Sequence, residues 1–235
     1  MSPPRRVDLA VLHGDETRRL VAELAASRLV CFPTDTVYGL GGRLTPAVHA
    51  ALSAAKGREP GKPFQVIYPS LDVLEASLAL EARLRDAARR LLPGPFTLVI
   101  PYPAELEFPP PGAVPCGDAA AAGAARATTP TLGIRVPEWP RAARVLAHLP
   151  YPLLASSANP SGQAPPRALD EVDADLLASC DLALDAGPVA GVASTVLDLS
   201  SFALDGGWRI LRRGGVDEAG VAARLGSLVE ERHWS

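Results

Sequence analysis

Lysine is nearly absent from this 235-residue chain: of 23 basic residues only Lys56 and Lys62 are lysine, and the others are arginine. Cysteine is scarce too. Cys31, Cys116 and Cys180 are odd in number, far apart and without a CxxC, which excludes a disulfide framework and indicates no zinc site. A reducing, cytoplasmic compartment is expected from that usage. Aromatic residues make up 5% of the chain, too few for an interleaved base-stacking platform. The formal net charge of -3 leaves no global basic field for nucleic acid. The best apolar run, Val145 to Ala158, is broken by His148, Pro150 and Pro152, short of the ~18–20 residues of a membrane span. Arg5 and Arg6 are followed by neither an apolar h-region nor a cleavage signal, so no secretory leader is expected.

What is present is an ordinary globular balance, 48% hydrophobic and 21% charged, long enough to bury a substantial core. Helical spacing runs over Asp15–Arg28, over Pro46–Lys56 with proline suitably placed at its start, and over Leu80 to Leu91, where Pro93-Gly94-Pro95 ends it. Further helices are expected at Arg141–His148, Glu171–Ser179 and Asp217–Glu231. Strand-like runs fall at Leu29–Phe32, Phe64–Tyr68, Phe96–Ile100, Leu132–Val136, Leu153–Ala155, Leu182–Leu184, Thr195–Leu199 and Trp208–Leu211. The segment 34–42 reads as a turn. Alternating strands and helices, with strands crowding at the end, predict an α/β fold: a twisted mixed sheet flanked by helices, as one domain over residues 1–235. Pro101 to Pro130, rich in Pro, Ala and Gly, reads as a surface insertion rather than a domain boundary.

Both lysines fall within Lys56-Gly57-Arg58-Glu59-Pro60-Gly61-Lys62. A mobile ammonium beside a planar guanidinium suits phosphate contact, and a solvated turn explains the same composition. The stretch is no P-loop, because only three residues separate its glycines and Pro63 stands where Ser or Thr would hold magnesium. No GxGxxG occurs. Ser156-Ser157-Ala158-Asn159-Pro160-Ser161-Gly162 follows an apolar strand and offers short hydroxyl and amide groups to an anion, or simply a turn.

Seven segments nevertheless occur in a specific order. They are Pro33-Thr34-Asp35-Thr36-Val37-Tyr38-Gly39-Leu40, Lys56-Gly57-Arg58, Leu92-Pro93-Gly94-Pro95-Phe96-Thr97-Leu98, Gly133-Ile134-Arg135-Val136-Pro137, Ser157-Ala158-Asn159-Pro160-Ser161-Gly162, Ser194-Thr195-Val196-Leu197-Asp198 and Ile210-Leu211-Arg212. That series resembles the YrdC/TsaC family of threonylcarbamoyl-AMP synthases from about Arg18 to Val216. The resemblance implies a YrdC-like fold with a concave nucleotide-binding cleft. It also implies a nucleotidyltransferase reaction in which ATP, L-threonine and bicarbonate give threonylcarbamoyl-AMP and pyrophosphate. A partner tRNA threonylcarbamoyl transferase would then modify the adenosine beside the anticodon, with at most a weak direct tRNA contact and no membrane.

Residue by residue, the resemblance places a catalytic tetrad on Lys56, Arg58, Ser157 and Asn159. It places threonine contacts on Thr34 and Tyr38, and nucleotide contacts on Thr97, Arg135, Ser194 and Arg212 besides the tetrad. Pro93 and Gly94 would shape the cleft floor with Thr97. Magnesium would be carried mainly by the ATP phosphates, without a protein metal site. Two anionic reactants must meet, so cations that screen repulsion and neutral donors that orient oxygens suit the chemistry. Lys62 departs from the family, which carries His or Asn there, and is expected near threonine or bicarbonate. The chain also stops before the extra C-terminal domain of the family's long members.

Two other classes compete. Ser53-Ala54-Ala55-Lys56 matches the SxxK of serine acyl-enzymes, but no lysine lies beyond Lys62 to form their KTG motif. A non-catalytic RNA-binding module is disfavoured by the charge and aromatic content, and a carbamoyl-adenylate exchanger of hydrogenase maturation by the lack of flanking zinc-finger-like segments. His13, His49, His148 and His233 match no motif and are expected to be surface or packing residues.

Overall fold

The computed structural model describes residues 3–57, 64–103, 106, 108 and 130–228. The chain opens with β1 (Arg5–Asp8), α1 (Asp15–Ala26), β2 (Val30–Pro33), β3 (Tyr38–Arg43) and α2 (Pro46–Lys56). Next come β4 (Gln65–Ile67), α3 (Leu71–Ser77), α4 (Ala82–Leu91), β5 (Phe96–Pro101), β6 (Thr131–Arg135) and β7 (Leu153–Ser157). The last part holds α5 (Ala174–Ala178), β8 (Leu182–Asp185), β9 (Thr195–Asp198), α6 (Phe202–Asp205), β10 (Arg209–Arg212) and α7 (Glu218–Leu225). All ten strands join one sheet in the order β1-β8-β2-β3-β7-β4-β6-β5-β9-β10, with parallel and antiparallel neighbours mixed. This is the expected α/β architecture.

Local chemistry explains the clearest elements. The Thr45 hydroxyl caps α2 by accepting from the Val48 amide at 3.3 Å, Pro46 fills the first turn, and Gly57 closes the helix at φ +52°. In α4, Leu84, Ala87, Ala88 and Leu91 make the buried stripe, and Arg90 donates to the Leu225 carbonyl at the end of α7 at 2.6 Å.

Strand alternation divides the core in two. Cys31, Leu40, Val66, Leu98, Ile134, Leu154 and Leu197 point to one face and pack with α2, α3, α4 and α7. Val30, Phe32, Ile67, Leu153, Leu182 and Leu184 point to the other and pack under α1, Trp139 and the segment Arg141–His148. Among the described residues, that second cluster reaches across the sheet only as far as Ile67 of β4.

Several expectations are corrected. The segment read as a turn contains β3, an interior strand paired with β2 and β7. Its glycines misled the pattern, yet close approach requires them: a Cβ on Gly41 would lie 2.0 Å from the Leu154 carbonyl oxygen. Arg141–His148 is a 3-10 rather than an α-helix, and the helix expected over Glu171–Ser179 is confined to α5, behind a short 3-10 turn. The final helix ends at Leu225 and continues as a 3-10 turn to Leu228, so the expected residues 229–231 lie outside those described. The elements β1, α3 and α6 had no sequence expectation. No helix among the described residues is long and apolar enough to cross a membrane.

Candidate functional site

One face of the sheet lines a cleft of about 400 Å³. Its floor is the cleft-facing register of several strands: Gln65 and Ile67 from β4, Thr97 from β5, Arg135 from β6, Ala155 and Ser157 from β7, and Val196 from β9. Thr34 from the β2–β3 turn, Asn159 after β7, Ser194 before β9 and Arg212 from β10 complete the wall. Seven of the residues chosen from sequence, Thr34, Thr97, Arg135, Ser157, Asn159, Ser194 and Arg212, therefore meet in one place. They come from segments up to 178 positions apart in the chain, and the sheet alone brings them together.

Arg135 is the deepest charge, with 2% of its side chain exposed. Its Nη2 donates to Asp35 Oδ1 at 2.7 Å and to Thr36 Oγ1 at 3.0 Å. Burial pushes the guanidinium's pKa down and the nearby charge of Arg212 adds to that, while Asp35 opposes it. Arginine nonetheless stays a cation in proteins. Burial also pushes the Asp35 carboxyl up, against the pull of Arg135. Across the cleft, Nη2 of Arg212 donates to both the Ser194 carbonyl and its Oγ at 3.0 Å. Ser194 Oγ lies 2.8 Å from Thr97 Oγ1, which donates to Gln65 Oε1 at 3.2 Å.

Lys56, at the end of α2, turns its ammonium onto the loop after β7. It donates to the Ser157 carbonyl oxygen at 2.9 Å and to the Asn159 carbonyl oxygen. The Asn159 amide donates to the carbonyls of Pro160 and Gln163, and its Oδ1 is buried without a partner. Thr34 Oγ1 donates to the Val37 carbonyl at 2.7 Å, fixing the turn that carries Asp35.

Three residues expected at the cleft are not among those that line it. Tyr38 does not line the cleft; it is fully buried, and its hydroxyl is engaged at the end of β8, donating to the Gly187 carbonyl at 2.8 Å and accepting from the Ala186 amide. Its contribution is to hold the β2–β3 turn in place, and burial pushes its phenol well above the usual range. Pro93 and Gly94 are likewise absent from the cleft wall: the Gly94 amide is bonded to the Val136 carbonyl, so only Thr97 of that motif reaches the floor. Arg58 and Lys62 lie outside the described residues. His49 is a packing residue as expected, edge-on to Phe64 and Phe108. Sequence reasoning missed Asp35 as the partner of Arg135, although it sits inside a quoted motif, and Gln65, which no motif marked.

No group of three or more His, Cys, Asp or Glu side chains that could hold a metal occurs among the described residues. The acid bonded to the cleft's deepest cation is Asp35, whose Oδ1 is engaged by Arg135 and whose Oδ2 is buried.

Fold and site together define an α/β protein whose mixed sheet carries a cleft lined by two guanidiniums and a set of hydroxyls. The chain belongs to the Sua5/YciO/YrdC family, whose model, described as telomere recombination, matches residues 22–214. A Mycobacterium leprae relative is 35% identical over 212 residues, covering 88% of this chain and 86% of its own. The threonylcarbamoyl-AMP synthase of Bacillus subtilis is 31% identical over 211 residues, covering 88% of this chain and 56% of that longer protein. The crystal structure of P. abyssi Sua5 complexed with L-threonine superposes with a TM-score of 0.73 at 27% identity, over 94% of this chain and 61% of that one. Escherichia coli YciO shares the fold, with a TM-score of 0.70 at 20% identity over 92% and 98% of the two chains.

Proposed function

We propose that the protein is an L-threonylcarbamoyladenylate synthase, a nucleotidyltransferase that converts ATP, L-threonine and bicarbonate to threonylcarbamoyl-AMP and pyrophosphate. The observation that carries this reading is the convergence of Arg135, Arg212 and the hydroxyls of Thr97, Ser194 and Ser157 in one cleft, in a chain that aligns with named synthases over most of its length. Arg135 and Arg212 carry two positive charges, only one of which is bonded to a carboxylate among the described residues, that of Asp35. An anion entering between them offsets their mutual repulsion.

In the reaction, the threonine amine adds to carbon dioxide derived from bicarbonate, forming an N–C bond and releasing a proton to solvent. A carbamate oxygen then attacks the α-phosphorus of ATP. The bond from that phosphorus to the α–β bridging oxygen breaks, and pyrophosphate leaves with the electron pair. Positioning and electrostatics suffice, without a covalent enzyme intermediate. Lys56 exchanges a loop carbonyl for a phosphate oxygen as nucleotide enters, and Arg58 acts beside it. Ser157 and Asn159 orient substrate oxygens; Thr34 and Lys62 are assigned to threonine; Thr97, Arg135, Ser194 and Arg212 hold the nucleotide. In this reading magnesium arrives on the triphosphate, and no step is assigned to it. The product passes to a tRNA threonylcarbamoyl transferase in the cytoplasm.

The test incubates purified protein with ATP, bicarbonate and each amino acid in turn, and follows pyrophosphate and adenylate products by mass spectrometry. Threonine-selective release of pyrophosphate with a threonylcarbamoyl-AMP mass is expected. Amino-acid-independent ATP hydrolysis, or no turnover, overturns the reading.

A further inference from the structure

Gln65 opens β4 on the cleft face, opposite Ala155 of β7 in register, and belongs to no motif that marks this family's site in the sequence. It ends a chain of hydrogen bonds whose direction can be worked out. Arg212 has donors only, so Ser194 Oγ accepts from it at 3.0 Å. The Thr97 hydroxyl gives its single proton to Gln65 Oε1 at 3.2 Å. The Ser194 proton must then go to Thr97 Oγ1, 2.8 Å away. Each hydroxyl has one proton, and the order Arg212, Ser194, Thr97, Gln65 uses each once. The amide oxygen is turned toward Thr97, and Nε2 makes no hydrogen bond among the described residues. Beside it, Gly133 leaves room on the floor: a Cβ there would meet Thr97 Cγ2 at 3.5 Å and Gln65 Cβ at 3.9 Å, so the neighbouring strand does not crowd the amide.

We propose that Gln65 is a specificity-determining residue of this cleft, its Nε2 donating to an anionic oxygen of bound substrate, either a phosphate or the amino acid's carboxylate or carbamate. This rests on the reading that the cleft takes ATP and threonine.

The test titrates ATP and L-threonine separately, in bicarbonate buffer, into the wild type, Gln65→Met and Gln65→Glu by calorimetry, with pyrophosphate release measured alongside. Methionine keeps the volume and removes the donor; glutamate replaces the donor with an anionic acceptor. Gln65→Met is expected to weaken one ligand by roughly tenfold, the scale of a lost hydrogen bond to a charged group. Gln65→Glu should weaken the same ligand by at least about a hundredfold, and the other ligand should bind both variants within about twofold of wild type. A loss confined to ATP identifies a phosphate oxygen; one confined to threonine identifies the carboxylate or carbamate. Unchanged binding in both variants overturns the assignment, as does Gln65→Glu binding no worse than Gln65→Met, which would mean the amide offers its oxygen. Wild-type binding without pyrophosphate release would overturn the synthase reading alone, and absence of wild-type binding would overturn both.

Discussion

Arg135 Nη2 stands 2.7 Å from Asp35 Oδ1, with 2% and 10% of the two side chains exposed. At that depth each charge depends on the other for compensation, and Arg135 Nε and Asp35 Oδ2 are left without partners. Asp35→Ala should therefore lower stability by about 3–5 kcal/mol in urea unfolding, because it leaves a guanidinium buried alone. Combining it with Arg135→Met should restore most of that loss, since both charges then vanish together. A double variant as unstable as Asp35→Ala alone would show that packing, not charge, dominates the pair.

Lys56→Ala should reduce threonine-dependent pyrophosphate release by about a hundredfold or more, the scale of one lost electrostatic contact in a preorganised site. Its far-UV circular dichroism should match wild type, because α2 keeps its Thr45 cap and its Leu52 anchor. Release within a few fold of wild type would remove Lys56 from the mechanism.

The 101–130 segment joins the ends of an antiparallel pair. Pro101 is in register with Thr131, and the Tyr102 amide donates to the Pro130 carbonyl at 2.9 Å. Its two ends are therefore already adjacent, and a short turn can replace what lies between. Deleting 109–128 across a Gly-containing turn should leave the urea midpoint close to wild type while keeping Phe108 against His49. Loss of activity without loss of stability would assign the segment a role over the cleft.

Burial pushes the Cys31 thiol well above its ordinary value and the Cys180 thiol to about 12. Both should resist iodoacetamide in the native protein at pH 8.5, while the urea-unfolded chain reacts. The linkage has a definite sign. Above an ordinary thiol value of 9.0 the unfolded chain sheds protons that the fold retains, so stability is full below that pH and declines toward about 12. Replacing both residues with alanine should flatten the alkaline decline by up to about 1.4 kcal/mol per pH unit per thiol. An unchanged slope in urea titrations from pH 8.5 to 10.5 would contradict the burial of these groups.

Much of the cleft was legible because its parts lie in short motifs. Thr34, Ser157, Asn159, Ser194 and Arg212 each sit in or beside a turn at a strand end, where chain reversal and small polar side chains leave a local mark. Helix α2 was legible to the residue, since proline at its start and glycine at its end act within one turn. Strand β3 was not. Tyr38-Gly39-Leu40-Gly41-Gly42-Arg43 carries three glycines, a pattern that locally favours turns, and it is a strand because β2 and β7 pair with it on either side, β7 so closely that Gly41 has no room for a Cβ.

By itself, the order of residues determined the α/β class, because periodicity and turn chemistry act over a few neighbouring residues; the family and most of the polar groups that reach the cleft came through the resemblance its ordered motifs carry. Only the tertiary structure decided what those groups do there. It paired Asp35 with Arg135 from positions 100 apart, withdrew Tyr38 to the end of β8, and brought Gln65 into line with Thr97, Ser194 and Arg212. Each is a contact across the sheet between distant segments, and no local pattern in the chain encodes such a distance.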